Sequence, residues 1–195
     1  MVINFITGNA GKFVSMKEHV SKYGFEVKQT TLPIIEPQAD TPEEVSLSKA
    51  KQAYELLHEP VAVEDSSFHI DALHGFPGPY IKYVMQTIGV DGILKVTETI
   101  TERTCRFTSV LTFIDADGTV QQFVQKDDAG TLATKKDETP MEQAWSDLWR
   151  IFIPAGYSKP LSGLSAEENR QVNEDWQKVS TFTQFAKWLH ENKKS

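Results

Sequence analysis

The first two dozen residues constrain this chain most. VINFI (2–6) is an apolar run of strand length, and it stops at Thr7-Gly8-Asn9-Ala10-Gly11-Lys12. Phe13, Met16, Val20 and Tyr23 then recur at helical spacing, and Gly24 sits where a helix C′ residue belongs. A buried strand that passes through a glycine turn into a helix points to an α/β arrangement, with helices packed on a sheet. Such a turn also leaves the backbone N–H groups of the helix start free, and the helix dipole there favours an anion. It is not the common P-loop. Gly8 and Gly11 are too close together, and Phe13 follows Lys12 where a Ser or Thr would hold magnesium.

The rest of the chain supports the same class. Thr41-Pro42-Glu43-Glu44 predicts a helix start, with Thr41 as N-cap, Pro42 at N1 and Glu44 closing a capping box. That helix runs to about Leu57, with Val45, Lys49 and Ala53 on one stripe. Pro60 opens VAVED (61–65), a short apolar strand that ends in two acids. FTSVLTFI (107–114) and TVQQFV (119–124) flank Asp115-Ala116-Asp117-Gly118, which predicts a hairpin. The chain then turns polar and irregular until LWRIFIP (148–154). SAEE (165–168) starts a helix through Val179, and Ser180 or Thr181 caps a last one, with Phe182, Phe185 and Leu189 on one face. Without internal repeats or low-complexity linkers, residues 1–195 are expected to form one α/β domain, a mixed sheet flanked by helices.

Charge narrows the function classes. With 20 Lys and Arg against 27 Asp and Glu, the formal charge is −7. Such a chain is a poor general binder of nucleic-acid backbone or anionic membrane, so neither is expected as a partner. Any anion must be gripped by a few placed lysines. A single cysteine, Cys105, excludes an internal disulfide framework and suits a reducing compartment. The N-terminal apolar run is too short for a signal sequence, and no stretch approaches 18 apolar residues, so the expected location is the cytoplasm.

Four segments carry candidate chemistry: TGNAGK (7–12), EPQ (36–38), SLSK (46–49) and VEDSSFHIDALHGFPGPYIK (63–82). Taken singly, Lys12 reads as an ordinary surface lysine and Lys49 as a solvated one, while Glu44 is explained by its capping box. Glu64 and Asp65 are harder to dismiss. Adjacent acids on a strand point to opposite faces, and the C-terminal edge of a sheet is where α/β sites lie. The loop HGFPGPY is stiffened by two prolines, and Gly75 and Gly78 permit backbone shapes that side chains block.

Together these segments resemble the inosine triphosphate pyrophosphatase family, which hydrolyses deaminated purine nucleoside triphosphates to monophosphate and pyrophosphate. The resemblance is close over residues 2–83, and VED…ALHGFPGPYIK is its most specific part. It implies that Thr7, Gly8, Asn9 and Lys12 form a phosphate-binding turn and that Lys49 and Lys82 are further phosphate lysines. It implies a substrate contact at Ser66, metal ligands at Glu36, Asp65 and Glu64, and a catalytic role for Asp65. It also implies two lobes with a substrate cleft between them, magnesium (Mg2+) dependence and a homodimer. The chemistry agrees: a triphosphate with its hard cation needs carboxylates for the metal and lysines for the remaining charge. In this scheme Asp65 orients or deprotonates the water, and Lys12 meets charge on the departing pyrophosphate.

The C-terminal half departs from the family. An aromatic-Gly-aromatic-Asp-Pro motif belongs just before FIPAGY (152–157), where this chain has SDLWR (146–150). A Ser-His-Arg belongs near 173–175, where it has Asn173-Glu174-Asp175, and Gln125 stands near the place of a family glycine. His and Arg donate to purine oxygens, whereas ionised carboxylates only accept. Trp145, Trp149 and Tyr157 are candidates both for stacking on a base and for core packing. The expected activity is pyrophosphate release from a purine or modified purine triphosphate such as ITP, XTP or dITP. The alternatives are a changed base specificity or a nucleotide-binding regulatory protein.

Overall fold

In a computed structural model of the protein, residues 1–140 and 146–193 are described. The elements follow in order: β1 Val2–Ile6, α1 Ala10–Ser21, β2 Glu26–Thr30, α2 Pro42–Leu57, β3 Val61–Ile70, β4 Pro77–Gly78, α3 Ile81–Thr87 and α4 Gly89–Val96. Then come β5 Thr104–Ile114, β6 Val120–Lys126, β7 Gly130–Leu132, β8 Phe152–Ile153, α5 Ala166–Val179 and α6 Thr181–Asn192. The chain divides into two compact units, one of residues 1–66, 109–125 and 177–195, the other of residues 67–108 and 126–176.

In the first unit, β1 pairs in parallel with β2 on one side and with β3 on the other. The chain crosses from β1 to β2 through α1 and from β2 to β3 through α2, as parallel crossovers require. Side-chain alternation divides the core between the two faces of the sheet. Ile3, Phe5, Ala62, Leu111 and Phe113 pack with Met16 and Val20 of α1 and with Phe182, Phe185 and Leu189 of α6. Ile6, Val61, Val63 and Ile114 pack on the other face with Ala50 and Ala53 of α2. The Thr41 capping box forms as the sequence predicts, with Glu44 N–H donating to Thr41 Oγ1 and Thr41 N–H to Glu44 Oε2. A buried polar chain ties α2 down. Ser46 Oγ donates to Val63 O and bonds Thr112 Oγ1, and Gln122 donates to both Thr112 Oγ1 and Glu43 O.

In the second unit, β4 runs antiparallel to β3, and β7 antiparallel to both β5 and β8. Phe68, Phe107 and Phe152 meet at its centre in tilted and edge-to-face contacts, with centroids 4.8, 4.9 and 6.2 Å apart. Gly130 is required where β7 meets β8, since a Cβ there would lie 2.4 Å from Ile153 O.

Three boundaries differ from the sequence expectation. β3 does not stop at Asp65 but continues to Ile70, because Phe68 and Ile70 keep the alternation going into the second unit's core. β5 starts at Thr104 rather than 107, and β7 is a three-residue strand inside the stretch expected to be irregular. The hairpin is where the sequence puts it, with Asp115 N–H donating to Thr119 O and Gly118 at φ +83°. Among the described residues no helix is long and apolar enough to cross a membrane.

Candidate active site

The alternation that divides the first unit's core also parts its two acids. Ala62 lies on the α1 face of β3 and Val63 on the α2 face, so Glu64 follows Ala62 and Asp65 follows Val63. Each acid is buried, and each meets a lysine from the helix on its own side. Lys12 Nζ of α1 is 2.5 Å from Glu64 Oε2. Lys49 Nζ of α2 is 2.8 Å from Asp65 Oδ1.

On the α1 face, Asn9 caps the helix by accepting from Lys12 N–H, and Thr7 Oγ1 accepts from Asn9 N–H. The turn 7–12 is therefore an ordered helix entry, with the hydroxyl and the amide both spent on shaping it. No acid occupies the first turn of α1, so the positive end of its dipole is left uncompensated by its own residues. Ser66, two residues past Glu64 and so on the same face, donates to Glu64 Oε1 at 2.8 Å and accepts from Lys12 Nζ at 3.2 Å. Lys12, Glu64 and Ser66 form one closed set, with Ser109 Oγ 3.4 Å from Ser66 Oγ.

On the α2 face, Glu36 joins Asp65 through Lys49, whose Nζ lies 3.4 Å from Glu36 Oε2. Burial pushes the Asp65 carboxyl above its ordinary value, and the nearby Glu64 charge adds to that. The Lys49 and Lys12 charges only partly offset the rise. At Lys49, burial pulls the ammonium down, but the charges and hydrogen bonds of Asp65 and Glu36 outweigh it and the net shift is upward. The pair is thus a charged lysine beside an acid with some basicity to spare.

Two carboxylates converging on one ammonium mark a place that suits a hard divalent cation. Among the described residues no group of three His, Cys, Asp or Glu side chains is arranged to hold a metal. Magnesium does not need one, since it is commonly held by one or two carboxylates with substrate phosphates and water completing the shell. Glu36 and Asp65 fit that requirement. The third carboxylate expected at the metal, Glu64, faces α1 instead and is paired with Lys12.

Lys82 lies in the second unit, exposed in the first turn of α3. Trp149 and Tyr157 pack, partly buried, against the second unit's core. Asn173, Glu174 and Asp175 are exposed on α5, and Gln125 lies within β6. Trp145 lies outside the described residues. Sequence reasoning missed Gln52, three residues past Lys49 on α2, whose side-chain amide bonds Ile35 next to Glu36. The i, i+3 spacing from Lys49 is the signal that points to it.

Comparison with known proteins follows the same lines. The model of the Ham1 family matches residues 3–185. The dITP/XTP pyrophosphatase of Methanopyrus kandleri is 35% identical over 192 residues, covering 98% of each chain. The inosine triphosphate pyrophosphatase of Yarrowia lipolytica is 31% identical over 175 residues, covering 89% of each. Among solved structures, the Ham1 protein of Staphylococcus aureus superposes with a TM-score of 0.78 at 21% identity, over 100% of both chains.

Proposed function

Because this chain belongs to the Ham1 family, we propose that it is a nucleoside triphosphate pyrophosphatase. It hydrolyses a (deoxy)nucleoside triphosphate, a purine or modified purine such as ITP, XTP or dITP, to the monophosphate and pyrophosphate. The observation that carries this reading is Lys49 held between Asp65 and Glu36, with Asp65 buried and its pKa raised.

Magnesium, when bound, supplies Lewis-acid charge at the phosphate oxygens. Glu36 and Asp65 would hold it, and Asp65 is the carboxylate placed to take the proton of the attacking water. The water oxygen bonds to the α-phosphorus as the bond from that phosphorus to the bridging oxygen breaks, and pyrophosphate leaves with that oxygen. Lys12 and Lys49 meet the charge that builds on it. The turn Thr7-Gly8-Asn9 and the start of α1 orient the phosphates, and Ser66 keeps Lys12 and Glu64 in register. The resemblance adds Lys82 at the phosphates and a homodimer to the proposal, and the cysteine usage and short N-terminal apolar run add a cytoplasmic location.

A panel of nucleoside triphosphates incubated with magnesium and assayed for both phosphate products tests it. Pyrophosphate and a monophosphate are the expected products. Orthophosphate from the γ-position as the main product rejects it.

A further inference from the structure

Gln52 stands one turn beyond Lys49 on α2 and reaches the loop that carries Glu36. Its amide makes two hydrogen bonds to the backbone of a single residue: Ile35 N–H donates to Gln52 Oε1 at 2.8 Å, and Gln52 Nε2 donates to Ile35 O at 2.8 Å. The pairing is that of a strand neighbour, supplied by a side chain. It falls in a segment, residues 31–39, that forms neither helix nor strand. The Ile35 side chain gives that point little anchorage, being 74% exposed. Glu36 is the next residue, and its carboxylate meets Lys49 on the same helix.

We propose that Gln52 is a positioning residue for Glu36: its amide clamps the Ile35 backbone so that the Glu36 carboxylate stays at the Lys49–Asp65 pair, where the cation is received. The clamp works because helix and loop are joined through one rigid planar group. Lys49 and Gln52 leave α2 one turn apart, so fixing Ile35 to one fixes Glu36 against the other. Partners of this kind, one shell out from a ligand, orient the ligand and tune metal affinity. This inference rests on the reading of Glu36 and Asp65 as magnesium carboxylates.

The test uses Gln52→Ala and Gln52→Met, the second keeping the length of the side chain while removing both hydrogen bonds to Ile35, along with the longer ones to Ser48. Tyr54→Phe is the control, since it takes a hydrogen bond from the same helix, to Ala116 O at 3.0 Å, and leaves Gln52 intact. Amide exchange at Ile35, followed by NMR on the metal-free protein, reports the clamp. Titration with Mn2+, followed by electron paramagnetic resonance in the presence of an α,β-methylene purine nucleoside triphosphate, reports the metal without turnover. In both Gln52 variants Ile35 exchange is expected to accelerate by about fivefold or more, the scale of one lost hydrogen bond. Mn2+ affinity is expected to fall about tenfold, the low end for loss of such a partner. Tyr54→Phe should change neither. Unchanged exchange at Ile35 overturns the proposal, and so does faster exchange with unchanged Mn2+ affinity, which makes Gln52 a loop anchor only. A wild-type protein that binds Mn2+ but releases no pyrophosphate rejects the proposed function and leaves the Gln52 comparison intact. One that binds no Mn2+ overturns the Gln52 inference as well.

Discussion

Lys49 Nζ sits 2.8 Å from Asp65 Oδ1, and both groups have pKa values raised above their ordinary ones. A simple exposed ion pair raises the base and lowers the acid. Here burial overcomes attraction at Asp65, while attraction from two carboxylates overcomes burial at Lys49. The site therefore holds its acid in a state that takes a proton more readily than a surface carboxylate does.

In the metal-free protein the Asp65 carboxyl should titrate above 3.8, as read by carbon NMR of the labelled side chain. Between the ordinary and the raised value the folded state binds the proton more tightly than the unfolded one, so this group's contribution to stability falls as pH rises through that window. Magnesium should move the titration down, because a cation favours the ionised form. A titration at or below 3.8 in metal-free protein contradicts the burial argument.

Asp65→Asn should be the most damaging isosteric change. It keeps the volume but removes the charge and the basic oxygen, and loss of a general base typically lowers kcat on the order of 10²–10⁴-fold. Glu44→Gln is the comparison, since Glu44 is spent in the capping box of α2. It should cost about 1 kcal/mol or less of stability and leave kcat alone. Near-normal kcat in folded Asp65→Asn places the base elsewhere.

Glu64→Gln separates the two faces of β3. The carboxylate is the ion-pair partner of Lys12, and its loss should lower stability by about 2 kcal/mol, less than for a fully buried pair because Lys12 still reaches solvent. Thermal unfolding measures it. Magnesium requirement should change far less than in Glu36→Gln, because Glu64 pairs with Lys12 on the α1 face while Glu36 and Asp65 converge on Lys49.

Asp137 offers a pH test in the second unit. Hydrogen bonds from Thr139 above all, helped by Ser162 and the Arg150 charge, hold its carboxyl below the usual 3.8 against the opposing effect of burial. A depressed acid contributes stability above its unfolded pKa and loses it as pH falls through the folded one. Asp137→Asn should therefore be less stable than wild type at neutral pH, by about 1 kcal/mol, with the difference closing below pH 3.8. A difference that persists unchanged into strong acid removes the charge from the explanation.

Base selectivity should be weak or reversed. The resemblance puts a Ser-His-Arg near Asn173, Glu174 and Asp175, and all three are exposed on α5. Strong rejection of a substrate comes from buried partners left unpaired when a group is missing. Comparing kcat/KM for inosine and adenine triphosphates decides it. A preference for inosine of about a hundredfold or more hands purine recognition to other residues, with Trp149 and Arg150 first in line.

Much of this was legible in the sequence where short-range physics decides. The capping boxes at Thr41 and Ser165, the hairpin at Asp115–Gly118 and the opposed faces of Glu64 and Asp65 all follow from local rules. The run past Asp65 was not legible, because its two acids look like a strand end until Phe68 and Ile70 are seen entering a second core. β7 is too short to carry a period, and Gly130 shows its purpose only against Phe152 and Ile153. The polar chain from Ser46 to Gln122 and the Gln52 clamp join residues far apart in sequence through side chains that could equally face water.

The core under β1 has a consequence for biosynthesis. Phe5 meets Phe182 edge to face at 5.9 Å, and Phe185 and Leu189 close the same cluster. Every residue of the two lysine–acid pairs is translated within the first 66, yet the α6 side chains that complete the core around Ile3, Phe5 and Met16 are translated after residue 180. On the ribosome, Ile3, Phe5 and Met16 wait uncovered while the whole second unit is made, a period in which exposed apolar surface invites association with other chains or with chaperones. A ribosome that stops early therefore releases a chain whose Ile3, Phe5 and Met16 lack the Phe182, Phe185 and Leu189 side chains that close their cluster.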